Sequence, residues 1–316
     1  MTKINLLKKL IIGGVEQWIL IRGKDVTNPP LLFLQAGPGF PIIHEANEIQ
    51  KNLQLEENYV CIYWDQRGCG KSFSHNLDPA SMTLQRMVSD VHEMIENLKS
   101  FLHAKKVFSM GFSVGGTVLL ISAFQKPESF ESIFVVGPDI VMAEAELNAY
   151  KFIMQKAHEL NNKKAKKELE KIGEPPHTDF KKFQTRVKWL TNFKGINQYE
   201  NYSSLLLKTI KSILLSKEYS FYDLIKTIRG MNFSQKYLLR DYSKINLLKT
   251  LNVLKVPVYF FQGARDEAAP AEILERYFNH LMAERKRLFV FENSAHMPQY
   301  EESVQFRKTI LSCYRL

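Results

Sequence analysis

The sequence is poor in cysteine and has no long apolar run. Its 316 residues include three cysteines, Cys61, Cys69 and Cys313, which cannot all pair and lack the spacing of metal ligands. We therefore expect a reducing compartment, the cytoplasm, and no bound metal. No apolar stretch approaches the length of a membrane span, and the interrupted one near the N-terminus is too short for a secretion signal. These absences predict a soluble protein without stable membrane insertion.

The positive charge is concentrated in one part of the chain. The formal net charge is +10, and residues 140–250 carry 21 basic against 11 acidic side chains, whereas the remainder is balanced. A basic surface can attract nucleic acid, an anionic lipid surface or an acidic substrate, but a solvated helical face has the same composition. Because no nucleic-acid-binding motif accompanies the lysines, we expect no nucleic-acid partner and leave weak contact with an anionic surface open.

Strand-like and helix-like patterns alternate over most of the chain. Predicted strands lie at three places within 8–35 and at 59–64, 107–110, 132–137, 256–263 and 286–292, and predicted helices at 83–102, after residue 113 and at 271–283. This alternation predicts a mostly parallel sheet flanked by helices. It stops in the middle of the chain, where the patterns are helical. We therefore predict a core formed by residues 1–139 and 251–316, with an inserted helical cap at residues 140–250.

The segment around Ser113 has the pattern of a catalytic nucleophile. It reads Gly111-Phe112-Ser113-Val114-Gly115 between a predicted strand and a predicted helix. A sharp strand-to-helix turn exposes a serine hydroxyl, and glycines two residues away on either side relieve crowding. A plain glycine-bearing turn would have the same letters, so the assignment depends on partners elsewhere in the chain.

Two later loops supply those partners. A serine nucleophile needs an imidazole and usually a carboxylate, which sheets of this type place after later strands in the order serine, acid, histidine. Asp266 follows the second-last predicted strand, and His296 follows the last. Glu267 and Asp139 compete for the role of the acid, and we favour Asp266. The predicted triad is Ser113, Asp266 and His296.

The developing oxyanion needs two N–H donors. One is expected from Val114, directly after the nucleophile. The loop Ala36-Gly37-Pro38-Gly39 ends the third predicted strand, and Gly37 is the expected second donor because Pro38 has no N–H.

Residues 65–72, DQRGCGKS, imitate a phosphate-binding loop. Asp65 stands where that loop needs its first glycine. We therefore predict a structured turn held by Asp65 and Arg67, and no nucleotide or other cofactor.

Five segments together resemble the α/β-hydrolase superfamily, and particularly its proline iminopeptidase-like branch. They are QAGPG, DQRGCGKS, GFSVGG, FFQGARDEAAP and SAHMPQYE, and the branch has HGGPG, DQRGxGxS and GGSWG at the corresponding places of the first three. The resemblance covers residues 30–140 and 255–310. It implies an α/β-hydrolase fold with a helical cap over the pocket, the triad named above, and hydrolysis through an acyl-enzyme without a cofactor.

The chain also departs from that branch. Gln35-Ala36 replaces His-Gly, and Phe112 and Val114 replace the glycine and tryptophan around the serine. Peptidases of the branch bind the substrate amine with acids of the cap, often in a WxxWEG-like run, and the counterpart here, residues 189–195, has Lys194 in place of the acid. The remaining candidate amine ligands are Glu174, Glu200, Glu218 and Asp223, and the candidate substrate-binding residues are Phe40, Phe112 and Trp189.

These features predict a serine hydrolase for a small molecule or short peptide. The resemblance favours an aminopeptidase that releases an N-terminal residue. The lysine in place of the acid favours a carboxylesterase for apolar or anionic acyl esters. A non-catalytic binding protein on a hydrolase scaffold is the remote alternative. The sequence does not indicate an oligomeric state.

Overall fold

The computed structural model describes residues 2–314 and has a central sheet of eight strands. The sheet strands are β1 (Ile4–Ile12), β2 (Val15–Gly23), β3 (Pro30–Leu34), β4 (Val60–Asp65), β5 (Val107–Phe112), β6 (Phe130–Val136), β8 (Val258–Gly263) and β10 (Lys286–Phe291). Two short strands, β7 (Val253–Leu254) and β9 (Met282–Ala283), form a separate parallel pair. The predicted α/β class is therefore confirmed.

The strand order is β1-β2-β4-β3-β5-β6-β8-β10. Only the pairs β1–β2 and β2–β4 within this sheet are antiparallel, and the pairs from β4–β3 to β8–β10 are parallel. Strands β3, β4 and β8 are buried along their whole length, as expected where helices cover both faces of a parallel sheet. The carboxyl ends of the parallel strands thus meet at one rim, where such sheets carry their sites.

Helices cover the two faces of the sheet. The described helices are α1 (Ala46–Leu53), α2 (Leu84–Leu102), α3 (Val114–Gln125), α4 (Met142–Glu159), α5 (Lys163–Ile172), α6 (Phe180–Asn192), α7 (Tyr202–Leu215), α8 (Phe221–Tyr242), α9 (Leu247–Thr250), α10 (Ala271–His280), α11 (Pro298–Glu301) and α12 (Ser303–Tyr314). Apolar side chains of α2, α3 and α10 form one core cluster with the sheet. Those of α1 and α12 form the other. Among the described residues, no helix combines the length and the apolar character needed to cross a bilayer.

Helices α4 to α9 lie between β6 and β7, in the segment predicted as a cap, and we call residues 140–250 the cap. Helices α4, α5 and α6 pack around a small apolar cluster of their own. Its members are Ala149, Tyr150, Ile153, Ala157, Ala165, Leu169, Ile172, Trp189, Leu190 and Phe193. Helix α8 instead sends Leu238 and Tyr242 into the core cluster beneath.

Several element boundaries differ from the predicted ones. Strand β1 begins at Ile4, before the predicted segment, because it pairs with the whole of β2. Helix α10 ends at His280, because Met282 and Ala283 pair with β7 instead of continuing the helix. Helix α2 begins at Leu84, since the Thr83 hydroxyl accepts a hydrogen bond from the Arg86 N–H at 3.1 Å and caps it.

Candidate active site

Ser113 lies in a sharp turn between β5 and α3. Its backbone has φ 52° and ψ −124°, a conformation that non-glycine residues rarely adopt. The Ser113 N–H donates to the carbonyl of Val136 on β6 at 2.8 Å, and its own carbonyl accepts from Gly116 N–H at 2.8 Å. The turn is therefore fixed by backbone hydrogen bonds on both sides, and the serine side chain is half-buried at the rim.

Two glycines make this turn possible. A Cβ at Gly111 would lie 2.5 Å from the carbonyl oxygen of Gly115, and a Cβ at Gly115 would lie 2.3 Å from the carbonyl oxygen of Gln35. Both clashes would be with backbone atoms, which cannot move aside as the end of a flexible side chain can. Glycine at these positions thus allows the helix to begin immediately after the serine and to touch the loop that follows β3.

Asp266 and His296 are hydrogen-bonded. The His296 Nδ1 to Asp266 Oδ2 distance is 2.7 Å, and the carboxylate is fully buried. Asp266 Oδ1 accepts from the N–H groups of Ala268 and Ala269 at 2.8 and 2.9 Å, and Oδ2 also accepts from Gln262 Nε2 at 3.1 Å. These bonds fix the carboxylate in one orientation toward the imidazole.

This pairing decides which ring nitrogen is available. An ionised carboxylate only accepts hydrogen bonds, so His296 Nδ1 carries the proton and Nε2 of the neutral ring is free to act as a base. Burial lowers the pKa of His296, but the charge and hydrogen bond of Asp266 outweigh it and raise the pKa to about 8. Within residues 2–314, no three His, Cys, Asp or Glu side chains are grouped so that they could hold a metal ion.

The end of β6 lies between the serine and the histidine. Val136 accepts the Ser113 N–H, and the next residue, Gly137, lies against the acid–histidine pair. A Cβ at Gly137 would be 3.1 Å from His296 Nδ1 and 3.3 Å from Asp266 Oδ2. The structure thus brings the three predicted triad residues to one rim of the sheet, at the ends of β5, β8 and β10.

The segments that contain the two predicted oxyanion donors are adjacent at this rim. Val114 is the first residue of α3, where the N–H has no partner within the helix. Because Gly115 touches the carbonyl ends of Leu34 and Gln35, the loop that contains Gly37 begins beside this N–H. Helix α8 holds the same loop from above, since Gly39 lies against Met231 and Ser234.

Gln35, which replaces the histidine of the branch, has a structural role. Its side-chain oxygen accepts from the Gln66 N–H at 3.2 Å and from Cys69 Sγ at 3.0 Å. It therefore links the Gly37 loop to the turn at residues 65–72. This is a contact that the sequence alone did not indicate.

The turn at residues 65–72 is held by charged side chains, as predicted. Asp65 accepts from the N–H groups of Ile42, Ile43 and Lys71 at 2.9–3.1 Å. Arg67 forms a two-point ion pair with Asp90, at 2.7 and 3.0 Å. Both side chains are buried.

One connection of the cap binds directly to the acid and histidine loops. The carbonyl of Gly195 accepts from the Glu267 N–H, and the carbonyl of Ile196 accepts from the His296 N–H, both at 3.0 Å. The Glu301 carboxylate accepts from the Gln198 N–H at 2.6 Å and from the Ala295 N–H at 2.9 Å. We call residues 195–198 the cap strap. Sequence reasoning assigned no role to the strap, Gln262 or Glu301, although Gln262 and Glu301 lie within two of the segments that carry the resemblance, because their partners are backbone groups or side chains of other loops.

The three candidate substrate-binding residues lie in different surroundings. Phe40 is half-buried beyond the Gly37 loop, whereas Phe112 stacks on Phe33 at 6.2 Å between ring centres. Trp189 belongs to the cap's own apolar cluster, and its indole N–H donates to Glu168 at 2.8 Å. That cluster also packs against Ile196 of the cap strap and Ala268 of the acid loop.

The four candidate amine ligands of the cap are exposed or already paired. Glu174 is exposed, and Glu218 accepts from the Ser216 hydroxyl at 2.7 Å. Glu200 is hydrogen-bonded to Ser204. Asp223 is ion-paired with Lys71 at 2.9 Å. It also forms a capping box with Ser220 at the N-terminus of α8. Lys194, in place of the expected acid, donates to the Glu200 carbonyl at 3.1 Å.

Asp139 is a fifth acid, and it follows β6. Its backbone carbonyl accepts from the Thr117 hydroxyl at 2.9 Å, which holds it one turn of α3 beyond the serine. The residue is 7% exposed, and its carboxylate has no hydrogen bond to any residue in the range 2–314. Burial raises the pKa of Asp139 to about 6, partly offset by the charge of His296.

Sequence comparison defines the class of protein. The family described as alpha/beta hydrolase fold matches residues 29–303, so the chain belongs to the α/β-hydrolase family. Its relatives place it in the proline iminopeptidase-like branch, as the motifs predicted. The broader prediction of a hydrolase is confirmed at this level.

Individual relatives cover nearly the whole chain. The chain is 31% identical over 308 residues to the Bacillus subtilis (strain 168) protein named "Probable aminopeptidase YbaC", covering 97% of this chain and 95% of that protein. It is 22% identical to a proline iminopeptidase of Thermoplasma volcanium, covering 95% of this chain and 93% of that one.

Two solved structures share the fold. A proline iminopeptidase-related protein of Thermus thermophilus matches with a TM-score of 0.66 and 18% identity, covering 97% of this chain and 96% of that one. An esterase of Exiguobacterium antarcticum matches with a TM-score of 0.67 and 19% identity, covering 98% of this chain and 100% of that one.

Proposed function

We propose that this chain is a serine aminopeptidase that acts through an acyl-enzyme and releases an N-terminal residue from small peptides. The observation that carries the mechanism is the 2.7 Å pair of His296 and Asp266 beside the turn that holds Ser113. The full-length similarity to a protein named as an aminopeptidase supports the peptidase activity over other hydrolase activities.

In this mechanism the Ser113 hydroxyl attacks the carbonyl carbon of the peptide bond. His296 Nε2 takes the hydroxyl proton and later gives it to the departing amine, while Asp266 keeps the ring oriented and balances its charge. The N–H groups of Val114 and Gly37 stabilise the oxyanion, and each such donor typically contributes about 3 kcal/mol to the transition state. Water then hydrolyses the ester bond between the acyl group and Ser113. In this step His296 Nε2 takes a proton from the water and gives it to the Ser113 oxygen.

Substitution of the nucleophile tests the mechanism. Ser113→Ala should lower kcat/KM by about 10⁴-fold or more, because the covalent step is lost, and should abolish labelling by a fluorophosphonate probe. Ser122→Ala is the matched control, since Ser122 lies on the same helix and its hydroxyl only donates to the Val118 carbonyl. Equal labelling of Ser113→Ala and wild type would contradict the proposal. Failure of folded wild type to label would favour the non-catalytic binding protein.

Amine recognition needs an acid near the serine, and we assign this role to Asp139. The four acids of the cap are exposed or paired, whereas the Asp139 carboxylate has no hydrogen-bond partner within residues 2–314 and lies at the same rim as His296. An ammonium group would supply the missing partner. With a pKa of about 6, the carboxyl is mostly ionised at neutral pH.

Asp139→Asn separates this role from a structural one. We expect KM for an aminoacyl p-nitroanilide to rise about tenfold, which corresponds to ~1.4 kcal/mol, while kcat/KM for an uncharged p-nitrophenyl ester changes little. Equal losses on both substrates would show that Asp139 supports the site without binding the amine.

A carboxylesterase is the second candidate. It is favoured by Lys194, which stands where the branch has an amine-binding acid and donates to the Glu200 carbonyl. Turnover of short p-nitrophenyl esters without any turnover of proline or alanine p-nitroanilides would establish this alternative. The same pair of substrates thus decides between the two activities.

A further inference from the structure

The outer side of the cap exposes a cluster of large apolar side chains. Of the fifteen exposed large hydrophobic residues in the described part of the chain, seven lie between residues 206 and 228. They are Leu206, Leu207, Leu214, Leu215, Phe221, Tyr222 and Ile228, and we call them the outer cap face. Scattered exposed apolar residues are ordinary, but a group concentrated on two consecutive helices is a candidate binding surface.

Helical spacing places these side chains on the solvent sides of α7 and α8. Leu207 and Leu214 are two turns apart on α7, as are Phe221 and Ile228 on α8. The opposite side of α7 packs inward, where Ile213 is 1% exposed and the Ser212 hydroxyl donates to the His44 carbonyl at 3.0 Å. By contrast, Leu207 is 67% exposed and Phe221 is 71% exposed. The apolar side of each helix therefore faces outward at these positions.

The stretch that carries the outer cap face is rich in basic side chains, namely Lys208, Lys211, Lys217, Lys226 and Arg229. Lys208 is ion-paired with Glu48, and the Lys226 ammonium group donates to the Lys71 carbonyl. The stretch has two acids, and both have partners: Asp223 is ion-paired with Lys71, and Glu218 is hydrogen-bonded to Ser216. Lys211 and Lys217 are exposed, and neither forms an ion pair with a residue of the described chain. The same stretch therefore presents exposed apolar side chains together with the exposed cations Lys211 and Lys217.

We propose that the outer cap face binds the surface of an anionic lipid bilayer. Leucine and aromatic side chains can enter the boundary between headgroups and acyl chains, while lysines remain with the anionic headgroups. A second copy of the chain fits less well, because a two-fold interface built on this face would bring the same lysines against each other. The contact is peripheral, since no described helix can cross a bilayer.

Co-sedimentation with vesicles tests this proposal. Wild-type protein at low salt should bind equimolar phosphatidylcholine and phosphatidylglycerol vesicles at least about tenfold better than pure phosphatidylcholine vesicles. Binding should weaken at about 1 M salt, where the Debye length falls to about 3 Å. Equal binding to both lipid compositions, or no binding to either, would overturn the proposal.

Two sets of variants separate the apolar and the charged contributions. Leu207→Ser with Leu214→Ser and Leu215→Ser, and separately Lys211→Glu with Lys217→Glu, should each reduce binding to anionic vesicles about tenfold or more. The matched controls are Leu160→Ser with Val304→Ser, and Lys105→Glu with Lys106→Glu, which change exposed residues of the same types elsewhere. Turnover of a soluble ester shows that each variant is folded.

Light scattering tests whether the outer cap face binds a second copy of the chain instead. Light scattering on the eluted protein should give a monomer mass at all concentrations. A dimer that dissociates in the triple leucine variant, together with vesicle binding that the variants do not change, would assign the face to self-association and overturn the lipid proposal.

Discussion

Different interactions stabilise the core sheet and the cap. Strands β3, β4 and β8 bury every residue, and the core clusters are rich in aromatic and branched side chains. In α7, by contrast, Ile213 is the single fully buried residue of fourteen. The core is therefore stabilised mainly by apolar burial, whereas α7 gains little from it.

Polar contacts attach the cap to the core at a few defined places. Lys71 of the core pairs with Asp223 of α8, the Tyr219 hydroxyl binds Asp65, and Glu301 holds Gln198 of the cap strap. Such contacts are directional, so they fix the orientation of the cap more than they add to its stability. The comparison teaches that a small number of charged side chains, together with the apolar residues that α8 sends into the core cluster, set the geometry above the rim.

The largest expected effect comes from breaking one buried ion pair in each region. Arg67→Met leaves Asp90 with Arg86 as its remaining ion-pair partner and removes the donor to the carbonyls of Ile12 and Gly13. It should lower the free energy of unfolding by about 3–5 kcal/mol, because several buried polar groups lose a partner at once. Arg186→Met leaves Glu146 unpaired in the cap, and should change the main urea transition by only about 1 kcal/mol while opening the cap to proteases. A single transition with equal losses in both variants would show that core and cap unfold as one unit.

The next largest expected effect on stability comes from Ile213, which is buried, in comparison with its exposed neighbour Leu214. Ile213→Ala should cost about 2–4 kcal/mol of stability, because it leaves a cavity under the helix. Leu214→Ala, on the exposed side, should stay within about 0.5 kcal/mol of wild type. Urea denaturation measures both. Similar losses would mean that the outer cap face is covered in solution.

Glu301 and Glu302 are adjacent, but only Glu301 contacts the cap strap, so their variants test what holds the strap in place. Glu301→Ala removes the acceptor of Gln198 and Ala295, and should cost about 1–3 kcal/mol. Glu302→Ala removes only contacts to Asn293 and Ser294 on the core side. Hydrogen exchange of residues 195–200 should accelerate in Glu301→Ala but not in Glu302→Ala. Equal acceleration in both would show that the strap is held from the core side as a whole.

The smallest expected effect is a shift in the pH profile. His296 must be neutral at Nε2 to act as a base, so kcat/KM for an uncharged ester should rise with pH until it passes the His296 pKa of about 8. Asp139 contributes negative charge that raises this pKa, so Asp139→Asn should move the acid limb to lower pH. Glu144→Gln, whose acid pairs with Arg276 at the surface, should leave the limb unchanged. A shift to higher pH in Asp139→Asn would contradict the assignment.

Residues that follow buried strands could be predicted from the sequence. Ser113, Asp266 and His296 each come shortly after an apolar run, and parallel strands bring their carboxyl ends to one rim, so local pattern and topology were sufficient to place them there. Their catalytic roles stay a prediction. The same reasoning gave the β-strand alternation and the structural roles of Asp65 and Arg67, which the DQRG motif marks.

Contacts that depend on backbone carbonyls could not be predicted. The carbonyls of Gly195 and Ile196 bind the N–H groups of Glu267 and His296, which are far away in the sequence, and any residue type can supply a carbonyl, so no letter marks the strap. Trp189 shows that a residue within a motif-like run can also have contacts that the sequence does not predict. Its place in a tryptophan-containing run predicts a pocket residue, and no sequence pattern predicted that its ring packs among apolar residues of the cap.

The hydrogen bond from His296 to the carbonyl of Ile196 makes the backbone amide of this histidine a reporter of domain position. Any rigid-body swing of residues 195–198 away from the sheet must release that proton to solvent, and must do so at the same moment for Glu267. In an amide NMR spectrum these two resonances should therefore shift together when a ligand displaces the overlying helices, without a probe being attached.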